Sequence, residues 1–283
     1  MRSSNPVLSR PDAFAPAQQT HPQQTYGAPG QYGAPGQYGA PGYHGAPGQY
    51  PPAQPQAPAG VMTLDDVITK TAIVMGVLFL SAAASFMLLP ASPLLYGVLL
   101  VSGIVGFVTV LFVALRRRIN PALVMVYSVI EGVFIGAFSK LFELMYPGIV
   151  AQAVLATFVA AGVTLAAYKY FRIRVTDKFR KIVVMSTFAF LGVVIVNLVL
   201  ALFGVNLGIR TIGGGVSGIA ILVSLVAVVL AVLNLILDFD YIEQGIAMRA
   251  PASESWRAAF GLTVTMVWLY TELLRILSYF RSN

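Results

Sequence analysis

The sequence predicts an all-α integral membrane protein: seven transmembrane helices behind a disordered N-terminal tail. Three observations carry that reading. The 283-residue chain is 57% hydrophobic and only 10% charged, whereas soluble chains average roughly a quarter charged residues. Its apolar residues fall in blocks long enough to cross a bilayer, for which about 20 residues are needed. No stretch alternates apolar with polar residues, so the spans are helices and not barrel strands.

Residues 1–60 are rich in Gly, Pro, Tyr and Gln and carry a hexad repeat, YGAPGQ, that places Tyr26, Tyr32, Tyr38 and Tyr50 in register with His44 in the remaining slot. Gly and Pro at this density hold neither helix nor strand, and the stretch buries too little to offset chain entropy. It reads either as a flexible tether or, because evenly spaced tyrosines in a flexible chain are adhesive, as a segment that recruits protein partners. It lacks the apolar core of a cleavable signal.

The second domain, 61–283, opens with MTLDDVITK, where Thr63 before Asp65 and Asp66 marks a helix start. Spans are expected at about 67–89, 93–115, 121–143, 149–168, 182–203, 215–238 and 258–280. If the tail defines one side, seven spans place fourteen of the eighteen basic residues on that side, including Arg116, Arg117, Arg118, Lys169, Arg172, Arg174, Lys178, Arg180 and Lys181. Lys140, Arg210, Arg275 and Arg281 fall on the other. The positive-inside rule makes the tail cytoplasmic and the C-terminus external, in a multi-pass protein of the plasma membrane. The net charge of +7 is explained by these loops, so no nucleic-acid partner is expected; the partners are the lipid bilayer and cations.

Cys is absent, which removes disulfides, thiolate metal sites and Cys nucleophiles. The GVSG at 215–218 matches a short serine-protease pattern, but the base of such a dyad is a His, and His21 and His44 both lie in the tail. No HExxH helix and no phosphate-binding loop occur. There is no Lys in the seventh span for a retinal Schiff base. No enzymatic activity and no catalytic residue are expected.

The informative residues are acids. A charge inside a membrane helix costs at least ~2.5–3.5 kcal/mol on insertion scales, so each needs a reason. Residues 234–245, NLILDFDYIEQG, concentrate Asp238, Asp240 and Glu243 at the end of the sixth span, although the chain has only eleven acids. Glu131 lies inside the third span and Glu272 inside the seventh. Glu272 either pairs locally with Arg275 at i+3 or shares a proton or cation with another carboxylate. Asp238 and Asp240 lie some 200° apart around a helix, so only one is expected to face the bundle interior. Gly132 and Gly136, next to Glu131, permit close helix contact. Asn197 and Asn234 read as glue between helices.

EGVFIG in the third span, the acids closing the sixth and LYTELLRIL in the last resemble the bacterial branch of the Bax inhibitor-1 family. SSNPVLSR and ESWRAAFGLTVTMVWLYTELLRILSYFR resemble its subgroup with a low-complexity N-terminal tail. The resemblance covers about 62–283 and implies a Bax inhibitor-1-like bundle, a central helix wrapped by six others. It implies a pH-sensitive cation leak, chiefly of calcium, gated by paired carboxylates: Asp238 or Asp240 with Glu272, supported by Glu131 and Arg275. Such a pair would hold one proton near neutral pH, and Asp238, Asp240 and Glu272 would be the ligands of a calcium ion, the one cofactor in view. Two outcomes stay open. If the residues between the acids form a solvent loop, the pair forms. If they extend both helices, Asp238 falls level with Thr263 or Thr265, near Glu131, and its pairing with Glu272 fails. A reading from another class is a non-conducting scaffold that recruits partners through its tail.

Overall fold

The computed structural model describes residues 60–116, 118–205, 207–210 and 217–282. The disordered tail expected over residues 1–60 lies outside them, apart from Gly60. Among the described residues the fold is seven helices: α1 (Leu64–Leu88), α2 (Pro93–Ala114), α3 (Pro121–Met145), α4 (Ile149–Tyr170), α5 (Asp177–Leu202), α6 (Gly218–Ala247) and α7 (Glu254–Arg281). All seven are long and apolar enough to cross a membrane. The near side is the one at which α1 begins; α2 to α7 then alternate in direction, and α7 ends on the far side.

The helix starts follow their caps. Thr63, Thr176 and Ser217 each accept a backbone N–H bond at the head of α1, α5 and α6, and Asn120 does so before Pro121 of α3. These bonds satisfy N–H groups that a helix start leaves open. Between α3 and α4, Gly148 adopts a φ of 81°, and Glu143 accepts from the N–H groups of Gly148 (2.6 Å) and Val150 (3.2 Å). That acid therefore caps α4.

Two helices form the heart. α3 packs on α1, α2, α4 and α7, while α7 packs on α1, α3, α4 and α6. No helix among the described residues is surrounded by all the others: α2 makes close backbone contact only with α3, and α5 only with α6. The tightest seam is α1 on α3, as the small residues of the third span foretold. A Cβ on Gly132 would stand 2.5 Å from the Leu78 carbonyl oxygen, and one on Gly136 2.3 Å from that of Ala82. Ser81 and Ser85 then donate across the seam to the carbonyls of Val129 (2.8 Å) and Val133 (2.9 Å). Close backbone approach maximises dispersion contacts where lipid offers no hydrophobic drive between helices.

On the near side, the residues just before α1 are tied to the α6–α7 turn. Met62 N–H donates to Ala250 O and Ala252 N–H to Gly60 O, both at 2.7 Å, and Met62 is buried with Val67, Ile242 and Ala258.

α6 and α7 are longer than the expected spans, running on to Ala247 and starting at Glu254. The residues expected to form a loop over 238–257 are mostly helix. At 1.5 Å per residue, thirty residues of α6 and twenty-eight of α7 exceed the ~30 Å hydrocarbon core.

Candidate functional site

This extension decides the fate of the acids. Asp238 sits on α6 facing α7, where its carboxylate accepts from the Thr265 hydroxyl at 2.6 Å. A Cβ on Gly261 would lie 3.2 Å from its Oδ1, so that glycine makes room for it. Glu272 lies seven residues further along α7, about 10 Å toward the far side. Asp240 points away from α7: Arg180 of α5 donates to it at 2.7 Å, as does Gln244. Both aspartates are thus engaged, on opposite flanks, because α6 is sandwiched between α7 and α5. Only one was expected to face the bundle interior; Asp238 is the one turned to α7, while Asp240, on the opposite flank, meets α5.

The expected pairing of Asp238 or Asp240 with Glu272 is not formed. Glu272, 1% exposed, is held instead by two arginines. Arg210, from the α5–α6 connection, forms an ion pair with its Oε1. Arg275 lies one turn along α7, with its Nε 3.8 Å from Oε2, so the expected local pair is present. The shared calcium site over Asp238, Asp240 and Glu272 is not assembled, and no group of three His, Cys, Asp or Glu able to hold a metal occurs among the described residues. The physical reason is the helical extension, which sets the three carboxylates at different depths and on different faces.

Glu131 occupies the third span against α2: a Cβ on Gly106 would meet its Oε2 at 2.9 Å. It makes no hydrogen bond or ion pair among the described residues. Its depth follows from two contacts between the parallel helices α3 and α7. Tyr127 packs edge-on against Phe260 with centroids 5.0 Å apart, and Ser139 bonds Tyr270 at 2.6 Å. Glu131, one turn past Tyr127, therefore lies level with Thr265 and so with Asp238. Two carboxylates without a basic partner among the described residues share one depth of the bundle, on separate interfaces.

Sequence reasoning missed the partners. In the sequence Arg180 and Arg210 carry only a topology signal, yet each grips a buried acid, and both belong to α5 or its following turn. Asn234 is interhelical glue as expected, donating to Thr187 of α5 at 2.8 Å. Glu243 is exposed and accepts from Tyr168 at 2.6 Å. The signal available was charge balance: a buried acid implies a nearby cation, and few basic residues lie on the far side.

The family model described as Bax inhibitor 1 like matches residues 5–282, nearly the whole chain. The chain belongs to the Bax inhibitor 1 like family. The match takes in most of the repeat-bearing N-terminal stretch, which the sequence resemblance had left outside. No curated protein matches the chain. Membership of the Bax inhibitor 1 like family and the seven spans agree on a multi-pass membrane protein in contact with lipid.

Proposed function

We propose that this protein is a pH-sensitive cation leak channel of the plasma membrane, calcium among its ions, with its N-terminus cytoplasmic, its C-terminus external and no catalytic activity. The observation that carries the proposal is the pair of mid-depth acids. Asp238 has a threonine hydroxyl as its side-chain partner, and Glu131 lies against a glycine. An uncompensated carboxylate at that depth is costly, and its use is to meet a cation or a proton crossing the bundle. Divalent cations prefer such oxygen ligands.

The gate in this proposal is α5. It carries Arg180 to Asp240 at the near end and leads into Arg210, which meets Glu272 toward the far end. Each clasp is a carboxylate–guanidinium pair. Protonation removes the negative charge, so the clasps open and flux rises as pH falls. A divalent cation competing for the same oxygens acts in the same direction. Ser217 of the protease-like GVSG is occupied in capping: its hydroxyl donates to Gly208 O at 3.0 Å and accepts from Ala220 N–H at 3.2 Å. That supports a non-enzymatic reading.

The test is calcium flux into liposomes holding the purified full chain. Flux that increases on acidification, and that Glu131→Gln and Asp238→Asn lower at every pH, is the expected result. Absence of flux at any pH overturns the channel and leaves the scaffold reading, which the tyrosine repeat favours. Deleting residues 1–58 would then abolish partner recruitment while leaving the helices inserted.

A further inference from the structure

A cavity of about 260 Å³ opens between α1 and α4. These two helices make no close backbone contact with each other among the described residues. Phe79 and Ala83 of α1 form one wall, Val154 and Phe158 of α4 the other, and Gly136 and Tyr270 lie in the floor. The rings of Phe79 and Phe158 meet across the opening, stacked at 6.0 Å. The polar groups of the lining are satisfied internally. Ser139 and Tyr270 bond each other at 2.6 Å, and Thr157 donates to Ala153 O at 2.7 Å. A cavity that offers water no free partner stays dry, so hydrocarbon from the surrounding bilayer is its natural filling.

Its position narrows the occupant. The lining runs along α1 from Met75 to Met87, about 18 Å, in the far half of the helix. That is on the order of one leaflet of a ~30 Å core. A whole helix, about 10 Å across, is too wide for it; one acyl chain is not. At the far end stands Lys140, one turn beyond Gly136 on α3, with its ammonium 5.0 Å from the ring of Phe86, itself part of the lining. No carboxylate pairs with Lys140 among the described residues. An unpaired cation at the mouth of an apolar slot is complementary to an anionic headgroup on a hydrocarbon tail.

We infer that the cleft between α1 and α4 is a binding site for an anionic phospholipid of the far leaflet, one acyl chain in the cleft and the headgroup at Lys140. The inference does not depend on conduction. It is tested on the full chain in nanodiscs, using phosphatidylglycerol or phosphatidylcholine with a photoactivatable diazirine on one acyl chain and mapping the labelled peptides by mass spectrometry. Labelling is expected to concentrate on 75–87 and 150–158, with phosphatidylglycerol well ahead of phosphatidylcholine. Lys140→Gln should cut that preference by about fivefold. Ala83→Phe, at an exposed wall position that folding does not require, should suppress cleft labelling and leave other lipid-facing labelling unchanged. Labelling spread as heavily over α5 overturns the site, as does a full signal in Ala83→Phe. Equal capture of the two lipids by the unmodified chain overturns the anionic assignment.

Discussion

α3 and α5 are both membrane helices of similar length, yet they are held by different physics. Half of the most apolar window of α3 is buried, against 6% for α5. α3 is fixed by backbone approach at Gly132 and Gly136 and by serine bonds across the seam. α5 leans on α6 and is pinned at separate points. These are Arg180 on Asp240, Thr187 with Asn234, Phe190 stacked on Trp268 at 5.8 Å, and Arg210 on Glu272 just beyond its end. Dispersion contacts in a glycine seam respond to neither pH nor ions. Charged pins respond to both. In the proposed function, a bundle built this way has one closely packed half and one half held by switchable attachments.

The largest effect should come from breaking the far-end pin. Glu272→Gln leaves Arg210 and Arg275 buried without their counter-charge, and removing one partner of a buried pair costs about 3–5 kcal/mol. Thermal unfolding in detergent should fall accordingly, and flux at neutral pH should rise toward the acid level, because this clasp is already open. Unchanged stability would mean that Glu272 does not anchor the α5–α6 connection.

On the closely packed half, Gly136→Ala places a methyl 2.3 Å from a backbone oxygen. Overpacking of this kind costs about 1–3 kcal/mol, again read by thermal unfolding. The matching change on α5, Gly192→Ala, meets nothing within 4 Å and should stay within about 0.5 kcal/mol. Equal losses at the two glycines would erase the contrast between the helices.

The near-end pin separates stability from gating. In its pair with Asp240, Arg180 is 44% exposed, and the 10% exposed carboxylate keeps a second donor in Gln244, so this half-exposed pair falls with those that contribute about 0–1 kcal/mol. Arg180→Gln should therefore barely move the unfolding temperature, yet raise flux at neutral pH toward the acid level. A variant that unfolds and conducts like the parent would remove Asp240 from the gate.

The seven spans were legible because each is a long apolar run, and a close contact on α3 because Gly132 and Gly136 stand four apart, though nothing in that spacing names α1 as the partner. The seat of Glu272 was half legible. Arg275 is local in sequence and follows from helical spacing, whereas Arg210 is sixty-two residues away, and no pattern in the chain announces it. For Asp238 and Glu272 the sequence leaves two outcomes open, and the structure takes the one in which both helices extend and the pairing fails. Residues 239–247 and 254–257 carry Asp240, Glu243, Glu254 and Arg257 and read as a polar loop, but they continue α6 and α7. Once helical, they fix Asp238 against Thr265. Composition reports polarity; whether a polar stretch at a membrane boundary is loop or protruding helix depends on packing that spacing alone does not encode.

The central claim is that release of α5 opens the protein to cations. The chain has no cysteine, so a single engineered disulfide can be read without background. Thr187→Cys with Asn234→Cys replaces the hydrogen bond between α5 and α6 by a covalent link. Calcium flux in liposomes is then compared at neutral and acid pH, oxidised and after reduction. The account predicts that the oxidised protein stays closed on acidification and that reduction restores the acid-stimulated leak. Equal acid-stimulated flux with the disulfide intact would contradict it.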